Sequence, residues 1–187
     1  MKGATITNAV ADKVVGSAAV KLSSASSQYV QIPPFQTENN GLSIAFWFKV
    51  SGSSQNCHAF DFGNGNLMNN LQFALQSTGD CSLLGYHNST LTSKISVFNQ
   101  RVDDGVWRHA GWTIDSNGNW IVYLNGQQTT SAHNLYYPAA IFRSYNYLGM
   151  SNSGGDPYVN GGIDEFYMFQ SVLSALQIQE LYQRKII

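Results

Sequence analysis

The stretch Val102–Gly126, VDDGVWRHAGWTIDSNGNWIVYLNG, limits the possible folds of this chain more than any other segment. Asp103-Asp104-Gly105 leads into an alternating run, and Asp115-Ser-Asn-Gly-Asn119 separates it from a second run that stops at Asn125-Gly126. Two period-2 segments joined and closed by Asx/Gly clusters predict antiparallel hairpins, because those residues supply the positive-φ positions that tight turns need.

The same alternation recurs along the chain. Leu42–Val50 (LSIAFWFKV) places Leu42, Ile44, Phe46, Phe48 and Val50 on one face, which must be core. Its other face carries Ser43, Ala45, Trp47 and Lys49, so that face is either partly covered or lines a groove. The segment Ala18–Ile32 ends in an alternating run that Pro33-Pro34 stops. Ala59–Gly63, Leu71–Gln76 and Ser82–Tyr86 read as a meander, followed by strands over Lys94–Phe98, Trp107–Ile114, Trp120–Leu124, Tyr145–Gly149 and Ile163–Phe169. Period then changes: Ser174 precedes ALQIQELY, with Gln177 three residues on, which predicts a short capped amphipathic helix. About a dozen short strands, then one helix, predict an all-β, two-sheet antiparallel jelly-roll sandwich with a short C-terminal helix. With 187 residues and no change of composition, the expectation is one domain over 1–187.

Only 11% of residues are charged and the net charge is −1, so no field draws the chain to nucleic acid or anionic lipid. No run approaches the roughly 20 apolar residues that span a bilayer. The first residues, Met1-Lys2-Gly3-Ala4, lack an apolar stretch of secretory-signal length, which fits either a piece of a larger protein or another route to its destination. Cys57 and Cys81 flank a hairpin-like region; in a secreted domain they are expected to pair, and in a cytosolic or virus-encoded one to remain thiols.

Residues that carry chemistry are sparse. Asp164 and Glu165 are adjacent, so a strand points them to opposite faces, and Asp103-Asp104 sit in a turn. His58, His87, His109 and His133 show no zinc spacing. What remains is a recognition surface, since sugar binding needs flat aromatic faces beside amides or carboxylates. Two loops with their flanks supply both: His133–Pro138 with Arg143 and Tyr145, and Ser151–Asn160. The candidates for ligand contact are Tyr136, Tyr137, Tyr145, Asn152, Asp156, Tyr158 and Asn160. Trp47 joins them if its sheet face is open.

Several words of the sequence, in order, resemble one family. Gly16–Leu22 and Gln28-Tyr-Val-Gln-Ile-Pro33 look like an opening strand pair. Leu42–Phe48, Trp107-Arg-His-Ala110, Tyr123-Leu-Asn-Gly126 and Gly162-Ile-Asp-Glu-Phe-Tyr-Met-Phe169 followed by Leu173–Ile178 complete the set. Together they resemble the laminin G-like and pentraxin-like members of the concanavalin A-like lectin/glucanase superfamily. That resemblance implies a non-catalytic carbohydrate-binding domain of a larger surface, secreted or particle-associated protein, extracellular or on a virus particle, with a glycan as ligand. The alternative is an adhesion or assembly module with a cell-surface protein, or further copies of the chain, as partner. A glycoside hydrolase ranks last, because the Glu-x-Asp-x-x-Glu strand of the laminarinase-type enzymes is missing. The family's calcium is implied at Asp164, although the turn Ser23–Gln28 carries hydroxyls where an acidic residue is frequent.

Overall fold

The computed structural model describes residues 5–7, 14, 18–52, 56–98, 100–138 and 140–184. Residues 1–4 and Gly16-Ser17 of the opening-strand word lie outside them. Among the described residues there are fifteen strands and one α-helix. One sheet orders β1 (Thr5–Thr7), β2 (Ala19–Leu22), β15 (Gly161–Phe169), β5 (Leu42–Val50), β10 (Arg108–Ile114), β11 (Trp120–Leu124) and β12 (Gln127–Ala132). The other orders β3 (Val30–Ile32), β14 (Tyr145–Leu148), β6 (Cys57–Gly63), β7 (Leu71–Leu75), β8 (Cys81–His87) and β9 (Thr90–Ser96). A two-residue pair, β4 (Phe35–Gln36) with β13 (Phe142–Arg143), stands beside them. All the pairings are antiparallel, and the order is that of a jelly-roll sandwich.

The core lies between the two large sheets. Leu42, Ile44, Phe46, Phe48 and Val50 all face it, as the alternation predicts. Phe46 sits at its centre, with ring centroids 5.2–5.8 Å from those of Phe48, Phe60, Phe73 and Phe166. Trp112 and Trp120 meet edge to face at 4.6 Å, and the Trp120 indole donates to the Tyr136 carbonyl.

The second face of β5 is covered. Helix α1 (Ala175–Gln183) lies over the outside of the seven-stranded sheet, where Ile178 and Leu181 join Ala45 and Tyr123 in a second apolar cluster. Trp47 stacks on Tyr182 at 5.4 Å and is fully buried, so it faces no groove. His109 packs beside both rings. Ser174 accepts from the Gln177 N–H while the Gln177 side chain accepts from the Ser174 N–H, the reciprocal cap expected from sequence. Ser174→Ala is expected to lower stability by about 1 kcal/mol in urea unfolding, and Ser174→Asp to retain most of the difference.

Of the two alternatives for the cysteines the structure takes the thiols, and it places Trp107 just outside its strand. Cys57 and Cys81 are thiols, each opposite Leu75 from the two strands that flank β7. Two interstrand spacings of about 4.8 Å separate them, beyond the roughly 7 Å limit of a disulfide. Burial pushes the Cys81 thiol well above its ordinary value, with Cys57 adding to the rise. Trp107 precedes β10 and is half-buried, with the Lys49 ammonium 5.2 Å from its ring centre; it belongs to the sandwich margin rather than the core.

Candidate functional site

Among the described residues no helix covers the outer face of the six-stranded sheet, and its register lines up a row of side chains. Tyr147 pairs with Asp61, Asp61 with Gln72, Gln72 with Leu84, and Leu84 with Lys94. Four spacings of about 4.8 Å make this row roughly 19 Å long. A bulge in β6 builds it. The register shifts between His58 and Phe60, leaving Ala59 as the extra residue. Positions 58 and 61, three apart, would otherwise point to opposite faces; the bulge puts both on the outer one.

Asp61 anchors the site. It is 0% exposed, and its carboxylate accepts from Asn70 Nδ2 (2.6 Å), Gln72 Nε2 (2.8 Å), the Asn152 N–H (2.8 Å) and the Ser151 hydroxyl (3.3 Å). Gly63 leaves room for this arrangement, because a Cβ there would strike the Asn70 amide. The loop after β14 is therefore pinned over the sheet by a buried carboxylate. Ser151 Oγ also accepts from the Ser153 N–H, and Ser153 Oγ donates to Asn66, tying that loop to the β6–β7 turn.

Over this scaffold lies an open cavity of about 320 Å³ whose walls include Tyr145, Tyr147, Tyr158, Asn152 and Asp156. Tyr29 backs the aromatic wall, 5.5 Å from Tyr147 and 6.1 Å from Tyr158. Tyr145 is 50% exposed, and desolvation raises the Tyr147 phenol above its ordinary value. Aromatic faces, an amide and a carboxylate thus converge on one opening. A second cavity, about 270 Å³, adjoins it over β6–β9 and has Gln72, Tyr86, Lys94 and His58 in its lining.

The structure gathers four of the seven expected contact residues, Tyr145, Asn152, Asp156 and Tyr158, at the first cavity. The other three are placed elsewhere. Tyr136 packs against Gly85 and near the His87 ring between the sheets, with its N–H donating to Ser93. The Tyr137 hydroxyl accepts from the Gly41 N–H and donates to the Glu38 carbonyl, so it ties loops together. Asn160 exchanges hydrogen bonds with Ser51 at the end of β5. Arg143 is buried as well: its guanidinium donates to Thr37 Oγ1 and the Asn69 and Ile141 carbonyls, and desolvation lowers its pKa to about 10. Sequence reasoning missed Tyr29, Tyr147, His58, Asp61 and Gln72. The period-2 pattern of LQFAL was the available signal for Gln72, as the one polar side chain in that apolar strand.

Asp164 is largely buried, and its two oxygens accept the Val14 and Glu165 N–H groups. The adjacent Glu165 carboxylate takes the Tyr167 hydroxyl. Among the described residues no three His, Cys, Asp or Glu side chains come together as a metal site.

A family model described as the concanavalin A-like lectin/glucanases superfamily matches residues 24–179. No curated protein sequence matches the chain. Among solved structures, domain 4 of AbnA, an extracellular GH43 arabinanase from Geobacillus stearothermophilus solved in complex with arabinotriose, is 20% identical with a TM-score of 0.75. That match covers 98% of this chain and 82% of the other. The binding domain of botulinum neurotoxin serotype G is 17% identical with a TM-score of 0.68, over 97% of this chain and 46% of that domain. A heptameric SAP-like pentraxin from Limulus polyphemus is 16% identical with a TM-score of 0.60, over 81% of this chain and 72% of the other. These likenesses concern the fold, and the chain spans under half of the neurotoxin domain.

Proposed function

Because the chain belongs to the concanavalin A-like lectin/glucanases superfamily, we propose that it is a non-catalytic, lectin-type domain that binds glycan at the Tyr145–Tyr147–Tyr158 cavity. One observation carries this reading: exposed Tyr145 and the half-buried Tyr147 and Tyr158 stand beside Asn152 and Asp156 in a single opening, the combination that a sugar's C–H face and hydroxyls require. The arabinotriose held by the arabinanase domain supports it by making arabino-oligosaccharides the first ligands to try. No catalytic role is assigned. Asp156 is the one carboxylate in that lining, whereas hydrolysis uses two flanking one bond. A place in a secreted, surface or particle-associated protein is part of the proposal. No described helix is long and apolar enough to cross a membrane.

The test is a glycan array followed by calorimetry, with calcium and again with chelator. A saturable hit is expected, weakened at least tenfold, about 1.4 kcal/mol, in Tyr158→Ala. Chelator is expected to leave it unchanged, since the Asp164 oxygens already accept backbone N–H groups. Calcium dependence would instead place an ion there, completed by backbone carbonyls. The second reading, a protein-binding or assembly module, has its own observation: Val172 (44% exposed) and Leu176 (64%) present apolar side chains at the start of α1. A blank array from folded protein that self-associates through these residues would favour it.

A further inference from the structure

The two cavities on the six-stranded sheet share lining residues, Ser153 and Asp156. The Tyr147–Lys94 row runs beneath both. At the junction, His58 is almost fully buried, yet its Nδ1 makes no hydrogen bond within the protein. Asp156 Oδ2 is 3.7 Å from it, too far for a direct bond. A hydroxyl oxygen about 2.8 Å from each atom closes that triangle, donating to the carboxylate and accepting from Nδ1–H. Beyond the junction the second cavity carries Tyr86, the amides of Gln72 and Gln76, and Lys94. One ammonium and one carboxylate among amides suit a polyhydroxyl chain better than a polyanion.

We propose that the two cavities are one site for a chain of at least two sugar residues, with His58 and Asp156 jointly gripping one hydroxyl of the sugar at their junction. This rests on the glycan reading above and extends it from a single sugar to a chain. Burial keeps the imidazole below its ordinary pKa against the opposing pull of Asp61, Asp156 and a hydrogen bond with Gln72, so a neutral ring meets the ligand. The other charged group in the groove lining is Lys94, three strands from His58.

The experiment is an array that pairs each monosaccharide with its linear di-, tri- and tetramers, followed by calorimetry on the hits. Dimers or longer chains are expected to bind at least tenfold more tightly than their monomer, and His58→Ala and Tyr86→Ala to erase that gain. If His58→Ala fails to fold by thermal unfolding, Tyr86→Ala and Asp156→Ala, both at half-buried positions, carry the test. Binding that is indifferent to length and to Tyr86→Ala, yet lost in Tyr158→Ala, would overturn the groove and leave the first cavity standing. No hit from folded wild-type protein would overturn both.

Discussion

Asp61→Ala is expected to destabilise the protein by about 4 kcal/mol and to abolish the proposed glycan binding in whatever fraction stays folded. Each hydrogen bond to a buried charge contributes roughly 1.5–3 kcal/mol, and donors left without an acceptor in the interior add their own desolvation cost. Four donors converge on this carboxylate: the Asn70 and Gln72 amides, the Ser151 hydroxyl and the Asn152 N–H. Their contributions are not additive, which holds the total near the cost of a broken buried network rather than the sum of its bonds. Asp61→Asn is expected to fare little better, because half of its amide is a donor turned toward donors. Loss of binding follows because Asn152 stands in the cavity wall while its N–H is held by Asp61. Urea unfolding of the two variants checks the first part, and titration with the array hit checks the second. A change under 1 kcal/mol with binding intact would show that the loop after β14 is held by other contacts.

The site was legible where its residues are local in sequence and hidden where pairing brings them together. Tyr145, Asn152, Asp156 and Tyr158 fall within fourteen consecutive positions, so loop composition alone pointed to them. Asp61, Gln72 and Tyr147 come from three strands, and only the β6–β7 and β6–β14 registers make them neighbours. His58 joins that face through a one-residue bulge at Ala59, which breaks the alternation that sequence reading relies on. Tyr136 and Tyr137 lie away from the cavity for the converse reason: their loop closes the edge of the core beside Trp120.

The strands followed the same division. Those with an apolar face, β5 and β11 above all, emerged from period 2, and Ser174 with Gln177 set the helix start. β12, QQTTSA, went unread because an edge strand with no buried residue has no apolar signal to show. The half-polar side of β5 could not be assigned from the strand itself. What covers Trp47 is a helix more than a hundred residues later, and only the topology brings it there.

Phe46→Ala and Trp107→Ala are expected to part company, although both are aromatic residues of strong family-like words. Phe46 is 2% exposed and its ring touches four other phenylalanine rings from β5, β6, β7 and β15. Truncation removes the transfer free energy of the ring and leaves a cavity that a close-packed aromatic cluster cannot collapse to fill, so a loss of about 3–5 kcal/mol is expected. Trp107 lies before β10, half in solvent, where its ring covers Gly162 and lies beside the Lys49 side chain. Water can occupy the space that Trp107→Ala opens, which removes the cavity contribution. What is lost is partial burial and a cation–π contact of about 0.5–1 kcal/mol. A total near 1–2 kcal/mol is therefore expected. Paired urea titrations decide it: if the two variants lose the same stability, Trp107 is as much a part of the core as Phe46, and the margin of the sandwich lies further out than the β10 boundary places it.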